Sequence, residues 1–152
     1  MTTILLTALL FGLLPDSKAQ IDTAMNNTIS DSIAIKATLE DRYFKGIYTG
    51  EVKLLEQAFY SGALLLGDVK GQPYSKKLAE YLDVVAHRQS PKDSGQPFHG
   101  EILKISVINS IAVAEVKVKM YDFYYHEFLS FHSINGRWLI VNKMMTDTMD
   151  QL

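Results

Sequence analysis

Tyr125-His-Glu-Phe-Leu-Ser-Phe-His-Ser-Ile-Asn-Gly-Arg-Trp-Leu-Ile-Val-Asn-Lys-Met144 is the stretch whose reading decides the fold. Two runs rich in β-branched and aromatic residues flank Asn135-Gly136. Both central residues of a type I′ turn need positive φ, which Asn and Gly tolerate, so the stretch reads as a β-hairpin. A two-residue loop pairs Ile134 with Arg137, Ser133 with Trp138, Phe131 with Ile140, Leu129 with Asn142 and Glu127 with Met144. Side chains alternate along a strand, so one face carries Glu127, Leu129, Phe131, Trp138, Ile140, Asn142 and Met144. The opposite face carries His126, Phe128, Ser130, His132, Leu139, Val141 and Lys143. The first face holds the only Trp and two polar groups that need partners if buried.

Upstream of the hairpin, Ala112, Ala114, Val116, Val118 and Met120 alternate with Glu115, Lys117 and Lys119, the pattern of a half-exposed strand. Residues 98–107 form the strand before it, and Asn109-Ser110 is the turn between them. Residues 90–97 are loop by composition. Ser75 is placed to cap a helix with Leu78, Tyr81, Leu82 and Val85 at helical spacing, closed by His87-Arg88, whose charge suits the helix dipole. Ala63-Leu-Leu-Leu66 reads as a short buried strand between turns at Ser61-Gly62 and Gly67-Asp68. Before it, Val52, Leu55 and Phe59 mark a short helix. Ser30 or Asp31 caps a first helix that Gly46 ends, with Ile33, Ala37, Phe44 and Ile47 as its apolar stripe, widened by Leu39 and Tyr43. Glu40 falls near the middle of that stripe. It either reaches the rim to pair with Lys36 or serves as a polar group of a pocket.

Helices followed by a run of strands indicate an α+β fold: a curved antiparallel sheet, cone-shaped, with three N-terminal helices on its concave face. A chain of 152 residues is one domain's worth. A net charge of −2, with charged residues at 21%, supplies no field to steer a polyanion, so nucleic acid is not an expected partner. The absence of cysteine removes thiol catalysis, zinc-thiolate sites and disulfides. Residues 4–14 are an apolar run of signal-peptide length, and Ser17-Lys18-Ala19 has small residues where a signal peptidase reads. The organisation expected is a leader over 1–19, a polar linker over 20–30, the domain over 31–146 and a tail over 147–152. The mature protein would then be periplasmic or secreted and free of the membrane, because Pro15 cuts the run short of the ~20 residues a span needs.

Ile33-Ala34-Ile35, Tyr43-Phe-Lys-Gly46, Phe59-Tyr60, Ala112-Val-Ala114, Glu127-Phe-Leu-Ser-Phe131 and Gly136-Arg-Trp138-Leu-Ile140-Val-Asn-Lys143, in this order of elements, carry a resemblance. Over residues 31–146 the chain resembles the putative lumazine-binding, SnoaL-like branch of the nuclear transport factor 2-like superfamily. The resemblance implies a cone-shaped α+β fold, a homodimer formed through the sheet, and a cavity between sheet and helices. It implies no particular activity, since the superfamily holds isomerases, dehydratases, polyketide cyclases and members without known catalysis. Where the family motif has Asp-Tyr-Leu-Ser-Leu, this chain has Glu127-Phe-Leu-Ser-Phe131. The acid is kept, one methylene further from the backbone.

A phosphate-cradling Gly-rich loop, a His-Glu-x-x-His pair, a nucleophile elbow and a dinucleotide fingerprint are all missing, so neither cofactor nor metal is expected. His126 and His132 are too far apart on one strand to share an ion. The constellation that could carry chemistry or ligand contacts is Glu127, Asn142 and Trp138 from the hairpin with Glu40 and Tyr43 from the first helix. In an apolar cavity Glu127 or Glu40 would have the raised pKa of a general acid or base. Equally, Glu127 could be a carboxylate bonded to Asn142 or a tyrosine to hold strand geometry. Three functions follow. The first is an exported domain that binds a small hydrophobic or aromatic molecule, or is otherwise non-catalytic. The second is a cofactor-independent isomerase, dehydratase or cyclase. The third is a dimeric interaction module acting through His126, Phe128, His132 and Leu139 on the outer face.

Overall fold

The structure, a computed structural model, describes residues 17–148. The expected leader falls almost wholly on residues 1–16, outside the described residues, and residues 149–152 lie outside them too. A long helix, α1 (Ser17–Thr38), runs through a π-helical turn (Leu39–Phe44) into α2 (Lys45–Thr49), and α3 (Val52–Ala58) follows. The strands β1 (Phe59–Val69) and β2 (Gln72–Lys77) precede α4 (Leu78–His87) and the single turn α5 (Pro91–Ser94). Four long strands complete the fold: β3 (Phe98–Ile108), β4 (Ile111–Met120), β5 (Phe123–Ile134) and β6 (Arg137–Thr148). They form one sheet in the order β2-β1-β6-β5-β4-β3. The α+β expectation therefore holds. The sheet is mixed, because β1 lies parallel to β6 while every other neighbouring pair is antiparallel.

The first helix departs from its reading in several places. It does not begin at Ser30 or Asp31 but runs through residues 20–30 as an exposed helix with no Gly or Pro to stop it. Asp31 instead accepts a hydrogen bond from Trp138 Nε1 at 3.0 Å. Nor does Gly46 end it, since Gly50, at φ +72°, provides the left-handed residue that closes α2. Gly46 allows close packing, because a Cβ there would sit 2.8 Å from Leu55 Cγ. The buried row is Ile35, Leu39, Tyr43 and Ile47, while Ile33 is 64% exposed and Ala37 faces solvent. Steps of four drift around an ideal helix of 3.6 residues per turn. The extra residue of the π turn cancels that drift and keeps Tyr43 and Ile47 over the sheet.

Residues 72–77, including Ser75, the expected helix cap, form β2, and α4 starts after them with the Glu80 carboxylate accepting the Lys77 N–H at 2.7 Å. The strand read at residues 63–66 extends from Phe59 to Val69, and the loop at 90–97 contains α5, capped by Ser90 Oγ on the Asp93 N–H at 3.1 Å.

Asn135 (φ +52°) and Gly136 (φ +73°) make the expected turn, and Ile134 pairs with Arg137, Ser133 with Trp138 and Phe131 with Ile140. Beyond that point the register changes. Val141 is skipped, so Ser130 pairs with Asn142, Leu129 with Lys143, Phe128 with Met144 and Glu127 with Met145. On the other side of β6, residues 60–63 of β1 leave the ladder between Phe59, paired with Ile140, and Leu64, paired with Asn142. Both neighbours of β6 thus break register at the same level, which bends the sheet there. Past the bulge Lys143 turns inward and Met144 outward, reversing the expected placement.

The core lies between the helices and the bent sheet, with Leu55, Leu65, Leu129, Phe131 and Ile140 among its buried residues. At Gly67 β1 lies close against β6: a Cβ there would meet the Met145 carbonyl oxygen at 1.7 Å, and φ is +140°. Gly67→Ala is expected to lower the unfolding free energy by about 3 kcal/mol or more through strain and overpacking. A urea titration unchanged in midpoint would contradict this account of the β1–β6 contact.

Candidate functional site

The bulge determines what the inner face presents to the helices. Glu127 on β5 is 1% exposed and Lys143 on β6 is 4% exposed. Lys143 Nζ lies 2.6 Å from Glu127 Oε1. Tyr43, delivered by the π turn, donates its hydroxyl to Glu127 Oε2 at 2.6 Å and accepts from Lys143 Nζ at 2.7 Å. The three side chains therefore close a ring in which each carboxylate oxygen has a donor. Burial, and after it the Glu127 charge, holds the Tyr43 phenol well above its ordinary pKa, so it remains a protonated donor. Breaking such a pair leaves an uncompensated charge in the interior.

A cavity of about 230 Å³ opens over this ring. Glu127 and Lys143 line its floor, Tyr74 and Lys76 come from β2, Tyr81, Val84 and Arg88 from α4 and its end, and Tyr125 from β5. Burial pushes the Tyr81 hydroxyl up to about 12, against the opposing effect of the Arg88 charge. Burial, with Asp147 adding to it, brings Tyr125 to about 12 as well. These phenols are neutral hydrogen-bond donors at ordinary pH. Arg88 Nε and Nη2 are buried without a hydrogen-bond partner among the described residues.

Of the residues singled out in the sequence, the structure brings Tyr43 and Glu127 together. Glu40 is not with them: its side chain is 52% exposed and lies 3.7 Å from Lys36, because the π turn rotates Tyr43 rather than Glu40 towards the sheet. Trp138 is buried under α1, where its backbone carbonyl also accepts from Thr38 Oγ1 at 3.4 Å, away from the cavity lining. Asn142, carried off the inner face by the bulge, donates Nδ2 to the Leu64 carbonyl at 3.3 Å. On the outer face His126 Nε2 lies 2.8 Å from Glu115 Oε1.

Sequence reasoning missed Lys143, which the unbulged register points outward, and Arg88, read as a dipole complement at a helix end. One signal could have found the lysine. A buried carboxylate needs a cation, and Lys143 is the cation of β6 nearest the level of Glu127. Nothing in the sequence places Arg88 in the same cavity.

A family model described as putative lumazine-binding matches residues 30–146. No curated protein matches the chain. Among solved structures, an NTF2-like protein of unknown function from Shewanella baltica is similar, with a TM-score of 0.70 at 21% identity over 80% of this chain and 97% of that one. Another, from Silicibacter pomeroyi, has a TM-score of 0.69 at 22% identity, over 80% and 99% of the two chains. A third, from Methylobacillus flagellatus, has a TM-score of 0.70 at 20% identity, over 80% and 94%. At these identities the likeness speaks to the fold.

Lys143→Met is expected to cost about 3–5 kcal/mol at neutral pH, by leaving Glu127 buried and unpaired. Adding Glu127→Gln should recover much of that loss, since the amide still accepts from Tyr43. A double-mutant cycle by denaturant unfolding checks this coupling, and additive losses would mean that the two groups do not pair.

Proposed function

Because the chain belongs to the putative lumazine-binding family of the nuclear transport factor 2-like superfamily, we propose that it binds a small, largely aromatic molecule in the cavity over the Glu127–Lys143 pair and performs no chemistry on it. The observation that carries this reading is the cavity itself, with an apolar and phenolic wall above a floor whose charges are already matched. At about 230 Å³ it is smaller than the ~300–1,000 Å³ of drug-sized sites, so a ligand of one or two rings fits the space. Binding is favoured over catalysis because a general base needs a free lone pair aimed at substrate. Both oxygens of Glu127 are engaged, by Lys143 and by Tyr43.

Thermal-shift measurements with small planar aromatic compounds, lumazine among them, test the proposal. A ligand at 100 times its Kd adds about 2.7 kcal/mol of stability. Val84 lines the cavity yet is 42% exposed, so Val84→Trp should narrow the mouth without disturbing the core and abolish the shift. Absence of any shift across neutral and charged aromatics in the wild-type protein would refute binding in this cavity.

A second reading concerns assembly. Leu66, Met144 and Phe128 stand side by side across β1, β6 and β5 on the outer face. Met144 is 55% and Phe128 48% exposed. A hollow of about 430 Å³ lined by Ile108, Ile111, Val113 and Val141 lies on the same sheet. An apolar face of this kind is unusual for a monomer, and it supports a homodimer formed by two copies of the sheet. Light scattering should then give a dimeric mass, with Phe128→Glu/Met144→Lys monomeric and still folded. A monomeric wild-type protein at high concentration would remove this reading.

A further inference from the structure

We propose that the cavity ligand carries a planar oxyanion, a carboxylate, gripped by Arg88, with its aromatic body against the tyrosine wall. The inference deepens the binding reading above and rests on it.

It begins with an imbalance. Among the described residues that line the cavity Glu127 is the single acid, whereas Lys76, Arg88 and Lys143 are basic. Glu127 is consumed by Lys143 at 2.6 Å. No other acid lines the cavity to balance the charge of Arg88, which has only the neutral Tyr81 phenol beside it there. Its Nε and Nη2 are shielded from solvent and lack hydrogen-bond partners among the described residues, although buried charged donors are ordinarily satisfied. Leaving a charged donor unsatisfied costs more than leaving a neutral one.

The identity of the two nitrogens adds geometry to charge. Nε and Nη2 form one edge of the guanidinium, and their N–H bonds run parallel at the spacing of the two oxygens of a carboxylate. That edge is the fork used in bidentate recognition. A hydroxyl or amide ligand would answer one of the donors, whereas a carboxylate answers both together with the charge. The remaining polar groups agree with an anion. Tyr81 and Tyr125, with pKa values pushed up to about 12 by burial, stay protonated and can donate to it without adding negative charge. The rings of Tyr74, Tyr81 and Tyr125 supply flat apolar surface on which an aromatic body stacks.

Calorimetric titration at pH 7 with matched pairs tests the inference: benzoate against benzamide, and 2-naphthoate against 2-naphthamide. In the wild-type protein each carboxylate should bind at least about ten-fold more tightly than its amide, a ratio within reach of one charge-assisted pair of hydrogen bonds. Arg88→Met should erase the preference, lowering carboxylate affinity far more than amide affinity. Arg88→Lys, which keeps the charge but loses the fork, should restore only part of it. Equal affinity for acid and amide in the wild-type protein would overturn the anion inference and leave the binding reading standing. A preference that persists in Arg88→Met would overturn the assignment to Arg88. Failure of all four compounds, together with no shift in the wider aromatic panel, would overturn both. The wild-type comparison needs no variant, so poor folding of Arg88→Met would not protect the inference.

Discussion

An acid and a base cannot enter a protein interior separately, and this constraint organises the inner face of the sheet. Glu127 and Lys143 sit on adjacent strands, nearly out of reach of water, and are tolerable there only because they meet each other and the Tyr43 hydroxyl at 2.6–2.7 Å. Their meeting depends on backbone irregularities in two layers. The bulge at Val141 turns Lys143 inward, and the π turn at Leu39–Phe44 brings Tyr43 down onto the pair. A regular β6 would expose the lysine and leave the glutamate alone. A regular first helix would swing the phenol aside. The two irregularities are therefore mutually dependent, as local departures from ideal geometry at a polar site commonly are.

The same bend separates the uses of the two sheet faces. Inside, the helices cover an apolar core except where α4 and β2 stand off and leave the tyrosine-walled cavity. Outside, the reversed alternation past Val141 places Met144 beside Phe128 and Leu66, so one structural event creates both the polar floor and much of the exposed apolar row. The cavity floor and the outer apolar row thus share the backbone of β6.

Family membership explains the architecture and not the chemistry. The solved structures that share the fold do so at 20–22% identity, a level at which the backbone persists while cavity side chains are free to change. Here the chemistry follows from this chain's own residues: matched charges on the floor, neutral phenols on the wall and an unanswered guanidinium edge at the end of α4.

The sequence alone determined the elements whose signals are local. Asn135-Gly136 dictated the hairpin through its demand for positive φ, and the alternation from Ala112 to Met120 marked a half-buried strand. The order of helices before strands settled the fold class, and Glu127 and Tyr43 could be named as inward polar groups from face assignment alone. Other features were beyond its reach. β2, with Pro73 and two lysines, has no strand pattern of its own and exists because β1 offers it an edge. The bulge at Val141 leaves no mark in the sequence, since Ile140 and Val141 suit either face of a strand, yet skipping one residue there reverses the faces of Asn142, Lys143 and Met144. Lys143, Asn142 and Arg88 were placed by that slip and by the docking of α4 over the sheet. Period and turn chemistry act over a few neighbours and can be read along the chain. The partner of a buried charge is chosen by long-range packing, which only the folded chain reveals.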